Sequence, residues 1–415
     1  MAAGTARLLV LSSLFPSAVQ PAAGTFIRER MFRVARQLPI VVLAPQAWFP
    51  LQGLIRRWRP HFRPMAPAFE RMDGIEVHRP RFLSFPGVLK RFDGLFMALC
   101  CLPLARRLVR AHGLNVLDAH FAYPDGYAGL LLKRWLGLPM VLTLRGKEER
   151  QARTSVGAPL RRAILGADRL VAVSDALREL ALGFGADPAR TSVIGNGIDL
   201  DRFHPVARDA ARSELGLPDS ARVLVSVGTL VERKGFHRVI SCLPQLRARF
   251  PDLRFLVVGG AGPEGDIGAR LREQVRALGL ETCVQFLGAM PPERLRIPLS
   301  AADVFVLATS YEGWANVLLE AMACGLPVVT TRVGGNEQVV PVPLAGCLVP
   351  FGDPPALAGA LEAALVQHWD RAAIIDHARA NAWERRIPRL LELFGDLAAA
   401  PAAAMAGGAA GALHE

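Results

Sequence analysis

Short runs of hydrophobic residues alternate with longer amphipathic stretches through most of this 415-residue chain. Apolar runs bounded by turn residues are typical of buried strands, and the stretches between them repeat every three to four residues, as helices do. In the first half we predict strands in ARLLVLSSL, IVVLAP, VLDAHF, MVLTLR, RLVAVS and SVIGNGI. This alternation predicts an α/β fold with a doubly wound parallel sheet.

The pattern breaks near residues 200–218 and then resumes. A second set of predicted strands follows in VLVSVGTL, RFLVVGGAG, VQFLGAM, VFVLAT and PVVTTRV. The length also favours two domains. We predict an N-terminal Rossmann-like domain over residues 1–200 and a C-terminal one over 201–378, facing a central cleft. Ligands are expected there, at the carboxyl ends of the strands.

Three segments need separate interpretation. Residues 1–24 have the composition of a signal peptide, but their short apolar run fits a first strand equally well, and we favour the strand. Residues 94–105 are apolar but shorter than a membrane span, so we predict a core helix. Residues 379–398 are predicted to form an amphipathic helix, and the low-complexity tail 399–415 to be disordered.

The charge is unevenly distributed. The chain carries a net charge of +12, with +14 in residues 1–205 and −2 in residues 206–415. A basic first half is compatible with an anionic membrane surface, an anionic lipid-linked acceptor or nucleic acid. The six cysteines form no C-x-x-C pair and most lie in apolar runs, which predicts reduced core residues and a reducing compartment.

The segment SYEGWANVLLEAMACG, residues 310–325, carries the strongest chemical signal. Glu312 should lie in the loop after a strand, and Glu320 on a helix that starts near Asn316 and stops at Gly325. The start of such a helix offers free N–H groups to an anion, and carboxylates beside it can accept hydrogen bonds from sugar hydroxyls. This combination suits a nucleotide sugar. A surface turn with two solvated glutamates is the alternative.

A second loop, GTLVERKG, runs from Gly228 to Gly235 between a strand and a helix. Fixed cations at Arg233 and Lys234 would stabilise the negative charge that develops on a departing diphosphate. A solvated basic pair is the alternative for this loop.

These segments resemble the E-x7-E signature of the family 4 retaining glycosyltransferases, which have the GT-B fold. The resemblance spans about residues 8–398 and is most specific in the second half, where EGWANVLLEAMACGLPVV follows the family pattern almost position by position. It implies that Arg233 and Lys234 bind the donor pyrophosphate, Glu320 the ribose, and Glu312 the transferred sugar or its phosphate side. The other implied donor contacts are Gly228, Gly313, Trp314, Asn316 and Val317.

In the first domain the resemblance points to His120, which follows a predicted strand. Such a histidine would stabilise positive charge at the anomeric carbon or bind the sugar 6-hydroxyl, and a buried structural histidine is the alternative. The implied acceptor contacts are Gly24, Thr25, Arg145 and Glu148. The chain departs from the family at two of them, with one glycine at Gly24 where two are usual, and Glu148 where aspartate is usual.

The triplet Asp199-Leu-Asp201 spells the metal signature of a different glycosyltransferase fold, but it lies in the family's interdomain stretch N-G-x-D. We therefore predict no metal and no cofactor, with the nucleotide-diphosphate sugar as donor substrate. The sequence does not distinguish among UDP, GDP and ADP as the nucleotide of the donor.

The run LIRRWRPHFRP, residues 54–64, mixes Arg57, Arg59 and Arg63 with Trp58 and Phe62. Cations interleaved with aromatic rings suit an anionic headgroup interface, and a packed loop is the alternative. We expect an enzyme at the cytoplasmic face of the membrane that extends a lipid-linked glycan in exopolysaccharide or cell-surface polysaccharide synthesis, and no nucleic-acid partner. The rival hypotheses are a nucleotide-sugar epimerase and a non-enzymatic basic module.

Overall fold

The computed structural model describes residues 5–21, 23–58, 62–262 and 265–400. Arg59 of the basic run and residues 401–415 of the predicted tail lie outside this range. Contacts within the chain divide it into two compact units. Unit 1 comprises Met1–Asn196 and Arg386–Glu415, and unit 2 comprises Gly197–Arg385. The C-terminal segment thus belongs to the same unit as the N-terminal residues.

Unit 1 is built on an eight-stranded sheet whose centre is β1. The strand order is β10-β9-β8-β7-β1-β2-β5-β4, and β3 pairs with β6 in a separate ribbon. Every residue of β1 is buried, and Leu9 pairs in parallel with Val41 on one side and Leu117 on the other. The strands of unit 1 are β1 Leu8–Leu11, β2 Ile40–Leu43, β3 Gln46–Trp48, β4 Phe69–Met72, β5 Ile75–His78, β6 Arg81–Leu83, β7 Val116–His120, β8 Met140–Leu144, β9 Arg169–Ala172 and β10 Thr191–Val193.

The short strands β3 to β6 were not predicted, and β4 pairs antiparallel with β5 at the edge of the otherwise parallel sheet of unit 1. The reason is local. Residues in β4 alternate between exposed and half-buried positions at the sheet edge. Such a strand needs no continuous apolar run, which was the signal used to find the others.

Helices flank the sheet of unit 1. They are α1 Thr25–Val34, α2 Gln52–Trp58, α3 Asp93–His112, α4 Tyr127–Leu136, α5 Glu148–Ala152, α6 Gly157–Gly166, α7 Asp175–Gly183 and most of the last helix, Trp383–Ala399. The predicted core helix is α3, although Leu99 and Cys100 on it are exposed, so Cys100 is not the core residue that was predicted. Among the described helices, none is both long enough and apolar enough to cross a membrane.

Unit 2 contains a six-stranded, wholly parallel sheet with the order β13-β12-β11-β14-β15-β16. The strands are β11 Val223–Val227, β12 Arg254–Val258, β13 Val284–Gly288, β14 Val304–Leu307, β15 Val328–Thr331 and β16 Gly346–Val349. The helices are α8 Arg208–Glu214, α9 Phe236–Arg249, α10 Gly268–Ala277, α11 Arg296–Ala301, α12 Asn316–Ala323, α13 Asn336–Val339, α14 Pro354–Val366 and α15 Arg371–Ala380; the last helix of the chain is α16.

The strand order creates one switch point in each sheet. In unit 2 the chain leaves β11 toward β12 on one side and later returns with β14 on the other, so the loops after β11 and β14 are neighbours. In unit 1 the loops after β1 and β7 are related in the same way. In open parallel sheets such a position, beyond the carboxyl ends of the strands, is where ligands bind.

Candidate functional site

The switch point of unit 2 brings together residues that the sequence placed in separate motifs. Arg233 and Lys234 form a short 3-10 turn after β11, and Glu312 lies in the loop after β14. Glu312 Oε1 accepts hydrogen bonds from Arg233 Nη1 at 2.9 Å and from Lys234 Nζ at 2.6 Å. The two loops are further joined because Ser310 donates its backbone N–H to the Arg233 carbonyl at 2.9 Å.

Glycines allow this close approach. Gly235 has φ of +78°, and a Cβ there would lie 1.9 Å from the Ala308 carbonyl oxygen. A Cβ on Gly334, at φ of +51°, would lie 1.8 Å from the Glu312 carbonyl oxygen. Only a residue without a side chain fits either place, so these glycines hold the loops of Lys234 and Glu312 at their observed separation.

Thr309 is a site residue that the sequence did not single out. Its buried hydroxyl contacts Glu312 Oε1 at 3.2 Å and the Tyr311 carbonyl at 3.2 Å, and its carbonyl accepts a hydrogen bond from the Thr331 hydroxyl. Thr309 therefore fixes the turn on which Glu312 is presented. A threonine directly after a buried strand is too common to have been informative by itself.

Glu320 lies where the sequence predicted it, on α12, which begins at Asn316 and ends before Gly325 at φ of +74°. Desolvation raises the pKa of the half-buried Glu320 to about 7, and the positive charges of Arg202 and Lys234 act in the opposite direction. Glu320 can accept hydrogen bonds from hydroxyls when ionised and donate one when protonated.

The remaining predicted donor residues cluster around the same loops. Gly228 directly follows β11 and has φ of +158°. Gly313 and Trp314 follow Glu312, and Val317 lies in the first turn of α12. The indole N–H of Trp314 is buried and without a hydrogen-bond partner among the described residues.

The switch point of unit 1 holds the other predicted residues. His120, at the end of β7, is fully buried between Arg145 and Asp118. Arg145 Nε donates to His120 Nδ1 at 3.3 Å, and His120 Nε2 lies 3.2 Å from Asp118 Oδ2 without the alignment of a hydrogen bond. Because arginine can only donate, Nδ1 carries the lone pair and the proton of the neutral ring lies on Nε2.

Burial controls the charges of this cluster. Desolvation lowers the pKa of His120 to about 4, although the nearby Asp118 acts in the opposite direction. Desolvation also lowers the pKa of Arg30 to about 10, and it lowers the pKa of Arg145 well below its ordinary value. Arg30 was not predicted from the sequence. It donates to the Ile194 carbonyl at 2.9 Å and to Asn196 Oδ1 at 3.2 Å.

The predicted acceptor residues occupy two loops of unit 1. Gly24 has φ of +67° before α1, where a Cβ would lie 2.2 Å from the Leu14 carbonyl oxygen, and Thr25 begins the helix. Glu148 is buried, and its carboxylate accepts the backbone N–H groups of Arg145 at 3.1 Å and Gly146 at 2.6 Å. Glu148 thus shapes the loop that presents Arg145.

The loop after β1 is also tied to the loop after β7. The buried Asp125 carboxylate accepts hydrogen bonds from the backbone N–H of Ser13 and, at 2.9 Å, from its hydroxyl. Desolvation raises the pKa of Asp125 to about 6, and the hydrogen bonds from Ser13 counteract this effect.

The described residues contain no group of three His, Cys, Asp or Glu side chains that could hold a metal. Asp199 accepts the backbone N–H groups of Asp201 and Arg202 and so caps a turn.

Two family profiles match this chain. The profile described as Glycosyl transferases group 1 matches residues 207–381, and that of Glycosyltransferase Family 4 matches residues 51–202. The D-inositol 3-phosphate glycosyltransferase of Corynebacterium urealyticum is 33% identical over 77% of this chain and 78% of its own length. A Bacillus subtilis protein named as a teichuronic acid biosynthesis glycosyltransferase, TuaC, is 30% identical over 80% of this chain and 82% of its own.

The fold has solved counterparts as well. The structure of Anabaena HepE in complex with UDP superposes with a TM-score of 0.68 at 22% identity, covering 94% of this chain and 98% of HepE. Its likeness shows the fold, which is the GT-B arrangement of two Rossmann-like units. This confirms the predicted fold class, and the family profiles and the relatives confirm the predicted glycosyltransferase class. The chain belongs to the family 4, group 1 glycosyltransferases.

Proposed function

We propose that this glycosyltransferase takes its sugar from a nucleotide-diphosphate sugar and transfers it, with retention at the anomeric carbon, to a hydroxyl of a glycan acceptor. The observation that carries the proposal is the contact of Arg233 and Lys234 with Glu312, on the loops where a Rossmann-like sheet binds ligands. Two cations suit a diphosphate, and Glu320 on the adjacent helix suits the ribose hydroxyls. The complex of HepE with UDP supports a nucleotide donor.

The chemistry requires no enzymic nucleophile. The bond between the anomeric carbon and the donor phosphate oxygen breaks, and a bond from that carbon to the acceptor oxygen forms on the same face. The acceptor's proton passes to the departing phosphate oxygen. Arg233 and Lys234 would stabilise the negative charge on that diphosphate, which lowers the barrier to departure. We propose no metal for this step.

The acceptor is proposed to be a lipid-linked glycan in bacterial exopolysaccharide or cell-surface polysaccharide synthesis. The name of TuaC, which refers to teichuronic acid biosynthesis, supports a polysaccharide product. The names of other relatives, such as the D-inositol 3-phosphate glycosyltransferase, leave a small phosphorylated acceptor as the second candidate. Assays with both acceptor classes, and the same donor, would separate them.

A thermal-shift panel of UDP, GDP, ADP and their sugar conjugates, with and without EDTA, tests the donor. A ligand at 100 times its dissociation constant stabilises the folded state by about 2.7 kcal/mol. We expect a shift with one nucleotide family that EDTA does not change. Glu320→Ala should then weaken that nucleotide's binding, while Glu273→Gln, in an exposed ion pair of the same unit, should not. Equal affinity of Glu320→Ala and wild type would refute the ribose contact.

We further propose that unit 1 docks on an anionic membrane from the cytoplasmic side. The loops after the paired strands β3 and β6 leave the same ribbon, and the rings of Phe49 and Phe85 on them lie 6.3 Å apart. The segments that follow these strands expose large apolar side chains next to exposed cations. Leu51, Leu54 and Arg57 lie in the loop and helix α2 after β3, and Val88, Leu89 and Arg91 lie in the segment after β6. Apolar insertion combined with cationic attraction is how peripheral proteins bind anionic headgroups.

The contacts of the basic residues indicate which of them are available for membrane docking. Arg63 donates to the Ser84 carbonyl at 2.6 Å, and Lys90 pairs with Asp93 at 3.0 Å, so both are used inside unit 1. Co-sedimentation with vesicles that contain anionic lipid should therefore depend on the exposed groups. We expect loss of binding for Leu51→Ser with Leu54→Ser and a reduction for Arg57→Ser. Equal partitioning of these variants and the wild type would refute the docking surface.

A further inference from the structure

The carboxylate of Glu312 and the diphosphate of a nucleotide require the same hydrogen-bond donors. One oxygen of Glu312, Oε1, receives the Lys234 ammonium at 2.6 Å, the Arg233 guanidinium at 2.9 Å and the Thr309 hydroxyl at 3.2 Å. Glu312 itself is buried, whereas the two cations are partly exposed. The cations therefore contact a fixed internal anion, while part of each cationic side chain remains accessible to solvent.

We propose that Glu312 is a built-in competitor that limits the affinity of the site for the nucleoside diphosphate product. This inference rests on the proposed function, because it assigns Arg233 and Lys234 to the donor diphosphate. Before transfer, the sugar is attached to the diphosphate and offers Glu312 hydroxyl partners. After transfer those hydroxyls leave with the acceptor, so Glu312 is left to compete with the free diphosphate for the two cations, which favours product release.

Charge and geometry both support this role. The three groups in direct contact, Arg233, Lys234 and Glu312, sum to a single positive charge, whereas a neutral Glu312 would leave two among them. Interactions between charges at these short distances are strong in a partly buried site. The carboxylate cannot swing away freely, because Thr309 and the backbone of its loop fix it: Gly335 donates its N–H to the Glu312 carbonyl at 3.2 Å. Glu312 is thus a positioning residue for the two cations.

The test is the affinity of the full chain for UDP, GDP and ADP, measured by isothermal titration calorimetry. Glu312→Gln keeps the shape but removes the charge, so it should bind the preferred diphosphate roughly tenfold more tightly than the wild type. Glu312→Asp keeps the charge and should stay near the wild-type affinity. Glu273→Gln, which removes a carboxylate from an exposed ion pair of the same unit, should also leave the affinity unchanged.

A double-mutant cycle separates competition from a general loss of structure. The gain from Glu312→Gln should shrink when Lys234→Met is already present, because the contested cation is then absent. Steady-state kinetics should show stronger product inhibition together with a lower kcat in Glu312→Gln.

The outcomes distinguish the two proposals. Equal or weaker diphosphate binding by Glu312→Gln, next to clear binding by the wild type, overturns the competitor role and leaves the proposed donor intact. A gain that persists fully in the Lys234→Met background also overturns it. If neither the wild type nor Glu312→Gln binds UDP, GDP or ADP, the proposed function and this inference fall together.

Discussion

At the scale of single residues, backbone conformation and burial explain positions that the sequence only hinted at. Gly235 was visible as the end of a glycine-bounded loop, and the structure shows why it is needed. Its φ is positive, and a Cβ at this position would clash with the Ala308 carbonyl. Only glycine therefore lets the Lys234 loop lie against the loop after β14. Two requirements, conformation and space, coincide at this one residue.

Gly235→Ala should therefore destabilise the protein by about 3 kcal/mol or more, since an overpacked contact adds to the cost of a left-handed alanine. Gly279→Ala is the matched control. Gly279 also has a positive φ, of +61°, but a Cβ there meets nothing within 4 Å, so about 1 kcal/mol is expected. Urea unfolding of both variants measures the difference. Similar losses would mean that the close approach to Ala308 is easily relieved.

His120 gives a prediction of pH dependence. Burial lowers its pKa from 6.5 to about 4 in the folded chain, so between these values the unfolded chain binds a proton that the folded chain does not. The contribution of His120 to stability is therefore complete above about pH 6.5 and is lost as the pH falls toward 4, on the order of 3 kcal/mol in total.

Urea unfolding at a series of pH values measures this effect. His120→Gln should show a smaller loss of stability than the wild type between pH 6.5 and 4. His368→Gln, at an exposed position of unit 2, serves as the control and should follow the wild type. Parallel curves for wild type and His120→Gln would show that the ring is not held neutral by burial.

At the scale of secondary-structure elements, the helices and strands with continuous apolar runs were predictable, and the elements at the sheet edges were not. The strand β14 and the helix α12 lie where the hydrophobic pattern placed them, because both are buried. In contrast, β4 is half exposed and β3 has no buried residue, so neither produced a pattern distinct from a loop.

Polar ties between elements were also invisible in the sequence. Asp303, just before β14, accepts hydrogen bonds from Arg212 of α8 at 3.1 Å and from the Val223 backbone N–H at 2.8 Å, and it also pairs with Arg208. Arg212 is buried and lies 91 residues away in the chain. Contacts at such separations depend on the completed fold, so no local spacing reports them.

Asp303→Ala should destabilise unit 2 by about 3–5 kcal/mol, since it leaves the Arg212 guanidinium buried without its carboxylate. Asp376→Ala, which breaks an exposed pair with Arg379, should change stability by less than about 1 kcal/mol. Chemical denaturation of the two variants gives the comparison. A small loss for Asp303→Ala would show that its backbone partners and Arg212 find other acceptors.

At the scale of the whole molecule, the motifs of unit 2 were recognisable in the sequence because they lie in short contiguous segments. Arg233, Lys234, Glu312 and Glu320 were all singled out there, although the contact of Glu312 with Arg233 and Lys234 was not predicted. In unit 1 the candidate site is built from residues distant in the sequence, such as Arg30, His120 and Arg145, and only part of it was found. The binding roles of these residues stay predictions until ligand measurements test them.

The division into units predicts separable stability. Phe394 on α16 is buried within unit 1, and Arg389 on the same helix donates to the Val193 carbonyl at 3.0 Å. Phe394→Ala should cost about 3–5 kcal/mol and should raise amide hydrogen exchange first in the peptides of unit 1, such as β10. Phe305→Ala, in the centre of the unit 2 sheet, should act first on unit 2. Identical exchange patterns for both variants would mean that the units unfold together.

The return of α16 to unit 1 has a consequence for the order of biosynthesis. A ribosome releases residues in sequence, so all of Gly197–Arg385 emerges before the segment that completes the older unit. The second unit can thus finish folding while the first, although made earlier, still lacks the side chains of Leu390, Phe394 and Leu397. Until the last helix emerges, the earlier unit exposes the apolar surface that these residues cover, and a nascent-chain chaperone would find its binding site there.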